Sequence, residues 1–534
     1  MWFLYDNIVA IQVAVVCGAF AWIFGGTVPS ALMPTMPWLF ALLLEVMVCF
    51  PQRHAGETTY QARKRVWRAI RRDPLTWVSL AFALVLLVPF FNTGLCPVCS
   101  YPEIKFDGAS AAPPAPFMPF CVNRAEHLTV VMWFVPTLLA MVAVKHALLK
   151  RGKRTVLELI VWNGLALSAI GICQAVTGAQ GPLWADLEGT KAYFFSTFGY
   201  PNMAGDYFTT LFGLSIGLWR WKVEEARLEA AEKGHDSVAQ ASHKAFWRKH
   251  LLLVPAMVFF FSAMMTLSRA AILLCSALAI IFYVHTFTCF LARMKKVKRF
   301  KIMAANLIVL VLIATVFFVF MSDETQRRIM ASGGDGQEEV AADKPVEGFR
   351  RDFQREVATI DVRDSLDRIS GTGAGQYHVR VAFRVWKSHP FFGCGGWGYK
   401  HFCIPEMTDE EYEQLQKVGG INVHNDYLQF LAEHGAVGFL LLVAMVIMLV
   451  WPLGRVWRAL VDAVRFTKPK DQPPKPIAVF AMPAPVFCIL ATTVSTLLHA
   501  MGDCPMRSPA VLSLFFVSLA AMDGFLPRLK KDEQ

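Results

Sequence analysis

An all-α membrane protein with about twelve transmembrane helices is what this 534-residue sequence predicts, with a large, partly helical loop on the exported side between the ninth and tenth spans. Three observations predict it. The chain is 55% hydrophobic and only 17% charged, with a mean hydropathy of +0.42, too apolar for a water-soluble chain of this size. Crossing a hydrocarbon core of about 30 Å takes about 20 mostly apolar residues, and twelve stretches qualify, near 8–26, 31–50, 75–92, 127–148, 155–176, 203–221, 251–267, 270–292, 302–321, 435–454, 478–500 and 508–526. The alternating segments 51–74, 145–154, 220–250, 293–301, 455–477 and 527–534 hold 34 of the 52 Lys and Arg, and a further 13 lie in the single long segment 322–434.

Cytoplasmic loops collect Lys and Arg, so both termini are expected in the cytoplasm and segment 322–434 on the exported side. The net charge of +11 is then mainly a topology signal. No nucleic-acid partner is expected, because KKVKRFK at 295–301 is short and flanked by spans. Three parts follow: 1–321 with spans one to nine and short loops, 322–434 as a loop domain, and 435–534 with the last three spans and a cytoplasmic end.

Taken in order, the first stretch lacks a basic leader and a small-residue cleavage site and reads as an ordinary first helix. The exported loop 93–126 carries AAPPAPFMP at 111–119 and should be extended and lid-like. Cys96, Cys99 and Cys121 in it are candidates for a disulfide in an oxidising compartment, and Cys394 with Cys403 for a second. The Glu-, Ala- and Lys-rich segment 221–250 should contain a short surface helix. Glu45, Glu158, Asp206 and His499 lie in or near spans, where interior pairs are expected, and Asp503 with Arg507 suggests a local ion pair.

The long segment opens with polar SGGDGQEEVAADKPVEG (332–348), continues with a charged, plausibly helical stretch (349–369) and breaks at GTGAG (371–375). In QYHVRVAFRVWKSHP (376–390), Val379, Ala382, Phe383 and Trp386 recur at i, i+3, i+4 and i+7, which makes one apolar face of a helix ending near Pro390. Arg380, Arg384 and Lys387 form a cationic stripe beside that face. The pattern suits a helix lying at the membrane surface, in contact with lipid headgroups or with an anionic ligand. The glycines of FFGCGGWGYKHF (391–402) offer backbone N–H groups to an anion.

His424 stands in HNDYLQFLAEHGAVG, directly before the apolar run of the tenth span. An imidazole, with an ordinary pKa of about 6.5, can accept a proton near neutral pH. It can equally cap the helix that follows, as can Asn425 or Asp426.

Four segments together, STFGYPNMAGDYF (196–208), TLSRAA (266–271), AFRVWKSHPFFGCGGWGY (382–399) and HNDYLQFLAEHGAVG (424–438), resemble the O-antigen ligase superfamily of multi-span membrane enzymes, which are related to lipid-linked glycan polymerases. The resemblance implies an enzyme of the bacterial inner membrane, active on the periplasmic face. Such an enzyme moves a glycan from an undecaprenyl-diphosphate carrier to an acceptor hydroxyl, in ligases a sugar of the lipid A-core, without metal or cofactor. It assigns the chemistry to two arginines and a histidine, here Arg269, Arg384 and His424. Arg380, Lys387, Asn202 and Glu433 are supporting candidates, Asn202 because Tyr200-Pro201-Asn202 stands where relatives carry an Asn-Pro-Asn-like element.

Arginine suits the task independently of the resemblance, since its guanidinium fork binds phosphate oxygens bidentately and stays charged. Ligase is the leading expectation. A polysaccharide polymerase or protein O-oligosaccharyltransferase shares the donor chemistry, and a transporter is the alternative from another class.

Overall fold

The computed structural model describes residues 2–23, 25, 36–93, 115, 117–185, 194–232, 250–292, 377–418, 422–466 and 482–526. Its helices in chain order are α1 (Trp2–Trp22), α2 (Met36–Cys49), α3 (Thr59–Arg72), α4 (Pro74–Leu87), α5 (Arg124–His146), α6 (Lys150–Thr177), α7 (Pro201–Glu232), α8 (Leu253–Met265), α9 (Arg269–Ala292), α10 (Tyr377–Ser388), α11 (Asp409–Val418), α12 (Asp426–Phe466), α13 (Ala484–Gly502) and α14 (Pro509–Ala521). Among the described residues the only β pairings are two isolated bridges, so the protein is all-α as expected.

Among the described residues, six helices are long and apolar enough to cross a membrane: Pro74–Phe91, α5, α6, Arg269–Cys289, Asp426–Gly454 and α13. Asn7–Trp22, α8 and Pro509–Phe525 are shorter apolar helices. The protein is therefore a multi-pass membrane protein. Every window read from the sequence carries a helix except 302–321, which lies outside the described residues. Among the windows not counted, α8 has 13 residues and α7 carries buried Asp206, Thr209, Thr210 and Ser215, while α2 is described only from Met36.

The surface confirms the solvent. Leu80 and Leu84 on α4, Val254, Met257 and Phe261 on α8, and Leu440, Ile447 and Trp451 on α12 are exposed at helical spacing. Such continuous apolar stripes suit hydrocarbon and not water.

Local chemistry sets the helix ends. Thr58 and Gln61 form a reciprocal capping box at the start of α3, and Asp73 both ends α3 and caps α4, with Pro74 at its first position. Asp73 also pairs with Lys145 at 2.8 Å and His146 at 2.9 Å, fastening the basic helix α3 to the end of α5. Lys153–Asp523 (2.6 Å), Arg154–Glu225 (2.9 Å) and Lys222–Glu158 (2.8 Å) belong to the same end of the bundle. α7 is the hub, touching α6, α8, α9 and α13. Its small residues let neighbours approach closely: a Cβ at Gly205 would meet that of Ala271 at 2.4 Å, and one at Gly213 would meet Thr492 at 2.2 Å. α7 itself runs on to Glu232, so the surface helix expected in 221–250 begins as its continuation, with 233–249 outside the described residues.

At the opposite end lies a small loop domain with its own core of Tyr377, Val381, Val385, Cys394, Tyr399, Cys403 and Leu415. It contributes α10, a short turn of helix at Tyr399–Phe402, and α11. α10 forms where its pattern predicts, and Val379 and Ala382 of the expected face are buried with Trp386 packed against the same core, while Phe383 is 42% exposed and Tyr377, His378, Val381 and Val385 are buried as well. The buried face is wider than expected and reaches Val381 and Val385, because the helix packs into this core. The stretches 332–348, 349–369 and 371–375 lie outside the described residues.

Candidate active site

His424 precedes α12 in a left-handed backbone conformation, φ 52°, which turns the chain sharply into the helix. The capping role falls to its neighbour: Asn425 Oδ1 accepts the Leu428 N–H at 3.1 Å while Asn425 Nδ2 donates to the Met501 carbonyl. Asp426 accepts the Met506 N–H at 2.8 Å. His424 is thereby left with a side chain 46% exposed and Nδ1 3.4 Å from Asp503 Oδ1.

Asp503 follows α13 and is buried. Tyr200 Oη donates to its carboxylate at 3.0 Å, the Cys504 N–H at 2.7 Å, and Asn202 Nδ2 donates as well. Burial alone would raise its pKa, but the hydrogen bond and charge of His424, the charge of His499 and the Cys504 amide hold it at about 2. Burial and the charge of Asp503 push the Tyr200 phenol well above its ordinary range, so it remains a donor. The result is an exposed imidazole backed by a buried, ionised carboxylate. Such a pair can accept a proton from a hydroxyl and stabilise the imidazolium formed.

Two further features adjoin this pair. Gly205 lies one helical turn after Asn202, and a Cβ there would meet Thr266 Oγ1 at 3.1 Å and Ser268 Cβ at 3.2 Å. The turn leading into Arg269, the exposed first residue of α9, therefore packs one turn from the Asn202–Asp503 contact. Deeper in the bundle Asp206 binds His499 Nδ1 at 3.2 Å and the Thr496 hydroxyl at 2.8 Å, which identifies one interior pair, whereas Glu158 pairs with part-exposed Lys222 at the other end of the bundle.

The loop-domain candidates are engaged differently. Arg384 Nε donates to the Glu406 carbonyl at 2.7 Å and its Nη2 to buried Glu411, which Arg380 shares at 3.3 Å. Lys387 Nζ lies 4.8 Å from the Phe383 ring centre. Glu433 binds Arg507 Nη2 at 2.6 Å, and the Arg507 guanidinium stacks 4.3 Å over Trp397. Sequence reading suggested an ion pair between Asp503 and Arg507. Both instead pair with α12 and its leading loop, Asp503 with His424 and Arg507 with Glu433, because the 3-10 turn at Pro505–Arg507 carries them apart. The structure thus brings His424 and Asn202 together on Asp503 and sets the Arg269 turn nearby, while Arg380 and Arg384 meet on Glu411 and Glu433 meets Arg507.

The glycine-rich turn does not present its amides to an anion. The N–H groups of Cys394 and Gly395 donate to the Ala432 and Glu433 carbonyls at 3.0 and 2.8 Å, and that of Gly396 to His127 Nδ1 at 2.9 Å. The turn is a dock, fixing the loop domain to α5 and α12, and Lys400 and His401 add ion pairs to Glu126 at 2.5 and 2.9 Å. Nor is a Cys394–Cys403 bridge formed: Cys394 Sγ donates to the Ala432 carbonyl and Cys403 Sγ to that of Lys400. Cys121 carries a thiol that donates to the Pro89 carbonyl, and its suggested partners Cys96 and Cys99 lie outside the described residues.

An apolar cavity of about 270 Å³, walled by Trp133, Phe134, Phe430, Phe439 and Phe515, opens beside Asp426, Glu433 and Arg507. Sequence reasoning missed Asp503 and Tyr200 as partners of the histidine. The signal was an acid closing an apolar span. No curated protein matches the chain. Its residues 254–443, however, match the O-antigen ligase family, and this stretch reaches from α8 and the Arg269 turn through the loop domain and His424 into α12. The chain carries an O-antigen ligase family domain.

Proposed function

We propose that this protein transfers a glycan from an undecaprenyl-diphosphate carrier to an acceptor hydroxyl at the periplasmic face of a bacterial inner membrane, as an O-antigen ligase attaching O-antigen to the lipid A-core. The single observation that carries the reading is the exposed His424 imidazole held against buried, ionised Asp503, inside the stretch that matches the family.

In this reading Nδ1 of His424 faces Asp503 and Nε2 takes the proton of the acceptor hydroxyl. The oxygen attacks the anomeric carbon, the bond from that carbon to the diphosphate oxygen breaks, and undecaprenyl diphosphate leaves with its negative charge on phosphate oxygens. Arg269 and Arg384 stabilise that leaving group, with Arg380 and Lys387 adding positive potential at the headgroup level. No step uses a metal. The imidazolium is stabilised by Asp503 until its proton passes to water. The 3.4 Å separation is long for a hydrogen bond, and contacts of this kind tighten when substrate binds. All twelve apolar windows acting as spans, with both termini cytoplasmic, would put His424 on the side opposite the Lys/Arg-rich loops. The arrangement of ion pairs at the other end of the bundle supports this.

Purified protein in vesicles containing carrier-linked glycan and lipid A-core should yield glycan on the core, and His424→Ala should reduce transfer by about 10²-fold or more. Undiminished transfer by His424→Ala or Arg384→Lys would overturn the assigned roles. Lengthened carrier-linked glycan with an unmodified core would indicate a polymerase, and glycan on a protein acceptor an O-oligosaccharyltransferase. Uptake without any carrier-linked glycan would indicate a transporter.

A further inference from the structure

The residue after Asp503 is Cys504, buried, with its Sγ 3.4 Å from Asp503 Oδ1. His424 Nδ1 is also 3.4 Å from that oxygen, and ligand atoms of all three residues lie within 4.8 Å of one another. A tetrahedral zinc ion with bonds of about 2.0–2.3 Å to nitrogen, oxygen and sulfur sets its ligand atoms roughly 3.3–3.6 Å apart. Two of the three edges already have that length. The carboxylate is oriented by hydrogen bonds from Tyr200, at 3.0 Å to Oδ1 and 3.2 Å to Oδ2, from the Cys504 N–H to Oδ1 and from Asn202 to Oδ2, as metal-binding carboxylates are, and the exposed imidazole gives an ion a way in from solvent.

We propose that His424, Asp503 and Cys504 form an inhibitory site for a thiophilic divalent cation of the zinc class, with water as fourth ligand. Binding forms metal–nitrogen, metal–oxygen and metal–sulfur bonds and breaks the S–H bond of Cys504, whose proton goes to solvent. No oxidation occurs. The imidazole lone pair that takes the acceptor proton, or the one that faces Asp503, is then committed to the metal, and transfer stops. A thiolate–imidazole–carboxylate set favours zinc or cobalt over magnesium or calcium, which prefer all-oxygen sites. The inhibitory consequence rests on the proposed role of His424; the binding site does not.

The test uses the full chain, purified in micelles and stripped with chelator, and titrates it with Co²⁺ alone. A thiolate-to-cobalt charge-transfer band should grow in the wild type and be lost in Cys504→Ser, although Cys121, Cys394 and Cys403 remain. In vesicles, Zn²⁺ should block wild-type transfer, Mg²⁺ should not, and Cys504→Ser, scored against its own metal-free rate, should show a half-inhibiting Zn²⁺ concentration raised at least about tenfold. Cys504→Ala replaces the serine variant if the latter fails to fold. Absence of the band in wild type, or a band and zinc sensitivity unchanged in the Cys504 variants, overturns the proposal. Absence of transfer by metal-stripped wild type would instead strike the functional reading, leaving the cobalt titration to decide the site.

Discussion

His424 and Asp503 stand 79 residues apart in the chain, yet the chemistry proposed for one depends on the other. Asp503→Asn keeps the shape and removes the charge that stabilises the imidazolium. It should lower kcat by about 10²-fold or more with KM little changed, as expected of a positioning residue and measurable in vesicle kinetics. The carboxyl falls from about 3.8 to about 2 on folding, so its contribution to stability is complete above the unfolded value and is lost as pH falls through about 2. Acid unfolding of Asp503→Asn should lack that component. Arg507 and Glu433, 11% and 3% exposed, make a different bargain. Arg507→Gln strands a buried carboxylate and should destabilise by about 3–5 kcal/mol in thermal unfolding, whereas the double variant with Glu433→Gln should recover much of that loss. None of these pairs was legible from sequence, because each joins α12 or its leading loop to the segment following α13, and spacing carries no information about partners so distant.

At the level of elements, α10 shows how far periodicity reaches. Its limits were readable from the repeat of apolar residues and from Pro390, as was the burial of Val379 and Ala382, but that of Val381 and Val385 was not, since these turn toward a core built by Tyr399, Cys403 and Leu415 from later in the chain. The glycines of 393–398 were readable as a turn. Their partners, the Ala432 and Glu433 carbonyls and His127, were not. Within α12, Gly435 takes φ 64° and ψ −174°, a conformation open essentially to glycine alone, and a Cβ there would meet the Phe391 carbonyl carbon at 2.3 Å. Gly435→Ala should therefore cost about 1–3 kcal/mol in strain and loosen the docked turn, visible as a lower melting temperature and faster amide exchange over 391–396.

For the whole molecule, composition and window length made the membrane-spanning, all-α architecture legible, because a bilayer imposes its thickness directly on sequence. Crossing counts were less legible: α8 is short, and α7 hides buried polar side chains in an otherwise apolar window. The two ends of the bundle are distinct in kind. One is tied by ion pairs such as that of buried Lys153 with Asp523; the other is capped by a folded domain fastened through Glu126, Trp397 and Arg507.

The break at Gly435 separates the first two turns of α12, which lead out of His424, from the lipid-facing shaft beyond, and the loop domain is bonded on both sides of it, to the Ala432 and Glu433 carbonyls before it and to the Ala436 and Val437 N–H groups after it. A shaft joined through such a pivot can change its inclination to suit a thinner or thicker bilayer while the histidine stays anchored by α13. Turnover in vesicles of increasing acyl length should accordingly vary little in the native protein and more steeply once the break is disrupted by Gly435→Ala.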